Sequence, residues 1–231
     1  MGYQVPSAAR LRDLFDQAAS WRAASAPTRK GRLFGANVAL LHPRAADAGE
    51  TLLHKAIDRL GATAVSIELN EREKAGNASD ISLLARVLGR LYDAADCSGV
   101  APSVVQSIAQ SAGIPVFFGL DCEQHPVRAL GDLWTIEQAL EDAEKVRRIR
   151  FIGSPGTPPA SAFVLAAIRL GFKLEMGEEH AGNLRAPFTV DASDPCQWKL
   201  FEGCAPLDPA VRSDNCVSLL QALLVQEIAG S

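Results

Sequence analysis

Long apolar runs are absent from this chain. No stretch approaches the ~20 consecutive residues that cross a bilayer, and the opening residues, Met1-Gly-Tyr-Gln-Val-Pro6, lack the charged start and apolar core of a secretory leader. A cytoplasmic protein without a membrane partner is expected. Basic residues are not in excess, since 23 Lys and Arg face 27 Asp and Glu for a net charge of −4. That balance excludes a general nucleic-acid binder, because phosphate backbones are held by clustered cations. The one basic cluster, Lys145-Val-Arg-Arg-Ile-Arg150, reads as a helix end or linker. The five cysteines are odd in number and include no CxxC pair, so neither a disulfide framework nor a zinc site is expected. No GxGxxG fingerprint and no Walker loop occurs. The Gly/Pro-rich segment Gly153-Ser-Pro-Gly-Thr-Pro-Pro159 has no Gly-Lys-Ser/Thr, and no nucleotide cofactor is implied.

What remains is an ordinary globular composition, 48% hydrophobic and 22% charged, in a chain long enough for one large or two small domains. Helical spacing of Leu11, Leu14, Phe15, Ala18 and Trp21 predicts an opening helix over 8–24, ended by Pro27. The short apolar run Asn37–Leu41 predicts a buried strand. Beyond it the pattern alternates: helix 49–60, strand 64–69, helices 79–92 and 102–111, strand 115–118, and a long helix over 126–144. Alternation of this kind implies βαβ units on a parallel sheet. A second unit opens with strand 150–153, helix 160–170 and strand 172–176, for which two to four strands are expected. Residues 177–209 are polar with short apolar pieces at 187–190 and 198–201, and an apolar-periodic helix closes the chain over 217–228.

Several segments, in order and at compatible spacing, resemble the aspartate/ornithine carbamoyltransferases, and the ornithine enzymes most. Ala85-Arg-Val-Leu-Gly-Arg-Leu-Tyr-Asp93 is similar to the family's ARVLGRMYD helix. Gly113-Ile-Pro-Val-Phe-Phe-Gly-Leu120 followed by His125-Pro-Val-Arg-Ala-Leu-Gly-Asp-Leu-Trp-Thr-Ile136 is similar to its GVPVxNGL…HPxQxLADxxTI block. Ser161–Phe172 resembles the helix that opens the family's second domain, and Asp214–Val225 resembles its closing ENRxHTIKAxMV helix. The resemblance implies an α/β fold of two Rossmann-like parallel-sheet domains, the second truncated. Residues 1–145 would form the carbamoyl-phosphate-type domain, with the closing helix 214–229 packing back on it, and 146–213 a shortened amino-acid-type unit. It further implies no metal or organic cofactor and a trimeric assembly.

The site motifs are where the chain departs from the family. The STRTR run that grips phosphate falls on Ala46, Asp47, Ala48, Gly49 and Glu50, which remove every hydroxyl and guanidinium and add two negative charges. The phosphate-binding Arg after the YDxxxxR strand falls on Ser98. In HPxQ, His125 is retained, but Gln has become Arg128, which cannot accept a hydrogen bond from a carbamoyl NH2. His125 could equally cap the helix that follows it. Arg44 and Arg128 are read as partners of Asp47 and Glu50, with an anion site rebuilt in another geometry as the alternative. In the second unit the family's Asp and Asn fall on Ser154 and Thr157, Ser161 at the start of the helix is a candidate substrate-binding residue, and the stretch for the substrate loop between Gly182 and Trp198 is too short. Gly203-Cys-Ala-Pro206 resembles the HCLP turn, with Cys204 at the substrate thiol, although a packing thiol is the plainer reading.

These departures lead to a carbamoyltransferase-like pseudoenzyme as the expected function. It would assemble as a homo-trimer or as a hetero-oligomer with an active carbamoyltransferase. Two alternatives stand beside it. One is an enzyme of altered specificity that transfers a carbamoyl or related group to an amino acid through His125, Arg128 and Cys204. The other is a small-molecule binder for an anion or an amino acid.

Overall fold

The computed structural model describes residues 5–44, 51–120, 122, 124–140, 147–177, 186–195 and 197–230. The chain divides into two compact units, one built on residues 20–122 with 220–231 and the other on 2–19 with 123–219.

The first unit is organised by β1 (Asn37–His42), whose residues Val38 to Leu41 have no solvent exposure. A run that is apolar on both faces suits a central strand covered on both sides. It pairs in parallel with β2 (Thr63–Glu68) on one side and β3 (Ala94–Cys97) on the other, and β4 (Val116–Phe117) completes the order β2-β1-β3-β4. Parallel neighbours require crossovers, and these are α3 (Leu52–Arg59), α5 (Ala78–Leu91) and α6 (Pro102–Ser111). Each starts on a recognisable signal: Thr51 and Asn77 cap α3 and α5 through their side chains, and α6 begins on Pro102. Between β2 and α5 lies the short α4 (Glu71–Lys74), closed by a capping box of Asn70 and Glu73.

The ARVLGRLYD segment explains much of this packing. Ala85 and Leu88 face Val104, Val105 and Ile108 of α6 and the Ala39, Leu41, Ala95 and Cys97 side of the sheet in one buried cluster. Gly89 lets the two helices approach, since a Cβ there would sit 1.9 Å from the carbonyl oxygen of Ala112. Asp93 accepts the Asn37 N–H at 2.8 Å and so pins the start of β1.

The second unit carries a five-stranded sheet, β6-β5-β7-β8-β9. Strands β5 (Arg148–Ile152), β6 (Lys173–Gly177) and β7 (Phe188–Asp191) are parallel, with α8 (Pro158–Arg169) as the β5–β6 crossover. β8 (Lys199–Glu202) and β9 (Ala205–Pro206) then return antiparallel. The sheet is therefore mixed and exceeds the expected two to four strands, because the two apolar pieces after residue 186 pair as neighbours instead of remaining loop. Its core is aromatic: Phe151, Phe163 and Trp198 meet with centroids 5.7–5.9 Å apart. Two further helices belong here, α1 (Ala8–Ala23) and α7 (Pro126–Ala139), joined by a Phe15–Trp134 ring contact at 6.2 Å. α9 (Pro209–Ile228) closes the chain and begins about two turns before the position where apolar periodicity predicts it. Those first turns mix apolar and polar residues and are mostly exposed as far as Asp214, so periodicity carries no signal there. The remaining helix, α2 (Ala26–Lys30), is a single capped turn.

Candidate functional site

In an open parallel sheet, ligands lie beyond the carboxyl ends of the strands where the strand order reverses. In the first unit that point lies between β1 and β3. After β1 the chain is described through Arg44, and the Ala46–Glu50 segment lies outside the described residues. After β3 comes Ser98, whose hydroxyl donates to Asp96 Oδ2 at 2.9 Å. Asp96 is 1% exposed, and its Oδ1 accepts two successive backbone N–H groups, Gly119 at 3.0 Å and Leu120 at 2.7 Å. One buried carboxylate thus joins the exit turns of β3 and β4. Burial, with the Asp96 charge adding to it, pushes the Cys97 thiol up to about 12, so this cysteine is inert packing.

Beside the exit of β2, cations are already engaged by acids. Lys74 Nζ lies 2.8 Å from Glu71 and 3.8 Å from Glu68. The Glu71 carboxyl is held below its usual range first by Lys74 and also by Arg44. The expected pairing of Arg44 with Asp47 or Glu50 falls on residues outside the described ones; the described acid that feels Arg44 is Glu71.

In the second unit His125 is the N-cap of α7, and its Nδ1 accepts the Val127 N–H at 3.1 Å. Burial, reinforced by the Arg128 guanidinium, lowers its pKa to about 4, so the ring is neutral at physiological pH and holds an acceptor on Nδ1. Arg128, three residues on, is half-buried and makes no ion pair with a described residue. Its charge reaches His125, Asp132 and the buried Cys216. Almost all of α7 from Pro126 to Ile136 is buried, and its polar members need partners there. Arg212 of α9 supplies one as a bidentate fork, Nε to Asp132 Oδ1 at 2.9 Å and Nη2 to Oδ2 at 3.1 Å, while its Nη1 donates to the Trp198 carbonyl at 3.0 Å. Burial raises the Asp132 pKa, and the bonds from Arg212 oppose that rise. Thr135 donates to the Gly131 carbonyl and accepts from Asn215 Nδ2 at 3.0 Å.

The other expected positions are separate from this cluster. Ser161 donates to the Pro155 carbonyl at 2.6 Å, closing the loop that leads into α8. Gly153 permits that loop's path, with φ at +117° and a Cβ that would lie 2.6 Å from the Ala192 carbonyl oxygen. Ser154 accepts the Gly156 N–H, and Thr157 caps α8 without a side-chain bond. Cys204 is exposed in the tight β8–β9 turn. Among the described residues no group of His, Cys, Asp and Glu converges as a metal site, and no helix is long and apolar enough to cross a membrane.

Sequence reasoning passed over Asp96, Asp132 and Arg212. An acid inside the buried run Ala94-Ala-Asp-Cys97 was the available signal for the first. Asp132 and Arg212 lie 80 residues apart, and nothing local links them.

Comparison with known proteins follows the same lines. Residues 3–138 match the family model described as the carbamoyl-P binding domain of aspartate/ornithine carbamoyltransferase. The chain is 29% identical over 172 residues to the catabolic ornithine carbamoyltransferase of Burkholderia mallei, covering 74% of this chain and 51% of that protein. It is 31% identical over 155 residues to the ornithine carbamoyltransferase of Actinobacillus pleuropneumoniae, covering 67% and 46%. It thus spans about half the length of the curated relatives it matches. Among solved structures, the catalytic subunit of M. jannaschii aspartate transcarbamoylase superposes with a TM-score of 0.70 at 13% identity, covering 100% of this chain and 99% of that one. Ornithine carbamoyltransferase from Gloeobacter violaceus superposes at 0.66 and 17%, covering 99% and 100%. At such identities the structural likeness speaks for the fold.

Proposed function

The chain belongs to the aspartate/ornithine carbamoyltransferase family, and from that membership we propose that it keeps the scaffold without ordinary carbamoyl transfer, as a pseudoenzyme whose role is assembly. One observation carries this reading. Ser98, at the position where the family places a phosphate-binding Arg, donates its hydroxyl to a buried carboxylate and offers no cation. Carbamoyl transfer depends on charge-assisted contacts to the phosphate and on donors aimed at the developing charge. Each such donor lost costs about 10²–10³ in rate, so several losses remove most of the acceleration. The acids paired with Lys74 deepen the deficit on the β2 side.

The degenerate STRTR positions Ala46–Glu50 belong to the same reading, as does the assignment by correspondence of 1–145 with 214–229 to a carbamoyl-phosphate-type part and 146–213 to a shortened amino-acid-type part. Purified protein given carbamoyl phosphate with ornithine or aspartate is expected to form neither citrulline nor carbamoyl-aspartate. Turnover within a hundredfold of a typical enzyme's ~10 s⁻¹ would refute the proposal.

An assembly role is supported by α5, where Leu83, Val87 and Leu91 stand at helical spacing with 56%, 40% and 62% exposure. A contiguous exposed apolar stripe is a feature of protein interfaces. A homo-trimer, or a mixed oligomer with an active carbamoyltransferase, would cover it. Light scattering coupled to gel filtration should show a multiple of 24.6 kDa. A mass of one chain, unchanged by a co-expressed active relative, would overturn this part.

The half-buried Arg128 beside His125 favours a second reading, in which a small anion or amino acid binds at α7, either alone or as the substrate of an enzyme of altered specificity. Calorimetric titration with phosphate and with ornithine tests it, and a flat isotherm removes it.

A further inference from the structure

We infer that Asp96 is a resident anion, which occupies from within the chain the donors that a bound anion would use at this sheet edge and orders the exit turns of β3 and β4 without any ligand. The inference rests on the reading that this edge no longer takes carbamoyl phosphate. Two successive backbone N–H groups converging on one oxygen make an anion-binding concavity, and here the oxygen is Asp96 Oδ1, at 3.0 Å from the Gly119 nitrogen and 2.7 Å from that of Leu120. The second oxygen takes the Ser98 hydroxyl. Asp96 is buried at 1% exposure, and the residues beside it in β3 are Ala95 and Cys97 of the apolar core. Two backbone N–H groups and one hydroxyl are thus already committed to the carboxylate. A phosphate dianion approaching the same turns would meet occupied donors. The contact is intramolecular, and therefore permanent.

Chemical rescue tests the inference on the full chain. Asp96→Ala removes the carboxylate and leaves two buried N–H groups and a cavity of carboxylate size. Its melting temperature should fall by about 4–10 °C. Sodium formate at tens of millimolar should restore part of that loss, while sodium chloride at equal ionic strength should not, because a ligand that binds the folded state raises its melting point. Asp96→Asn keeps an acceptor oxygen in place and should melt closer to the wild type, without response to formate. Should Asp96→Ala fail to fold in plain buffer, recovery of its native circular dichroism in formate but not in chloride is the same measurement. Equal behaviour in formate and chloride, or an Asp96→Ala protein as stable as the parent, would overturn the inference. Wild-type protein titrated with inorganic phosphate and with carbamoyl phosphate supplies the control: a sub-millimolar midpoint there would sink the loss-of-function reading, independently of the rescue result.

Discussion

Among the described residues each of the two units buries one carboxylate, and the two are held in different ways. Asp132 on α7 faces a guanidinium, with both oxygens held by the planar fork of Arg212. Asp96 in β3 accepts N–H and O–H groups from Gly119, Leu120 and Ser98. The first arrangement cancels charge, and its consequence is structural: α7, α9 and the Trp198 segment are tied together. The second occupies two backbone donors at the carboxyl end of a parallel sheet, where ligands of such sheets lie. The difference separates a stability device from a feature with functional weight.

Breaking the neutral pair should have the largest effect. Arg212→Ala strands the Asp132 charge inside the unit and should lower stability by about 3–5 kcal/mol. Adding Asp132→Leu should recover a large part, since an apolar pair of similar volume can be as stable as the ion pair. Urea unfolding of both variants checks this, and a loss below ~1 kcal/mol in the single variant would show that the fork is incidental.

Next in size is the pH response of the α7 cap. His125 is held neutral in the fold, with its pKa lowered from 6.5 to about 4, so the unfolded chain binds more protons than the native one between these values. Stability is full above about 6.5 and falls as pH drops toward 4. The contribution lost is on the order of 3 kcal/mol. His125→Asn retains an N-cap acceptor without the titration. Its stability relative to wild type should therefore improve as pH falls from 7 to 4, and parallel curves would exclude His125 as the source.

The smallest effect sharpens the contrast from the other side. Ser98→Ala removes one of three described donors to Asp96 while leaving both backbone N–H bonds, and should cost about 1 kcal/mol. A double-mutant cycle with Asp96→Asn should show coupling of similar size, whereas additivity would mean that the hydroxyl and the carboxylate act separately.

Much of the fold was legible beforehand because its signals are local. The helix predicted over 8–24 is Ala8–Ala23, that over 102–111 is Pro102–Ser111, and the strand read at Asn37–Leu41 gains only His42. Helical periodicity and Pro or Asn starts need no tertiary information. Local pattern predicts no strand at Ala94–Cys97, where only the resemblance to the family's YDxxxxR strand implies one, because Ala-Ala-Asp-Cys has neither β-branched residues nor alternation. It is a strand because β1 and β4 flank it. The pieces at 187–190 and 198–201 were visible as apolar, but their antiparallel pairing was not.

For the candidate site, the sequence by itself determined which groups are available: a serine at position 98, a histidine before Pro126, an arginine at 128, and acids in place of a hydroxyl at 47 and a guanidinium at 50. Those identities follow from the motif register and would hold in any fold of the chain. Only the tertiary structure decided what the groups do. His125 became a cap because its ring folds back on the N–H two residues later. Asp96 became an internal anion because β3 and β4 bring Gly119 and Leu120, 23 and 24 residues away, within hydrogen-bond reach. The physical reason is that a buried charge is defined by its partners, and here those partners come from distant parts of the chain that meet only in the assembled sheet.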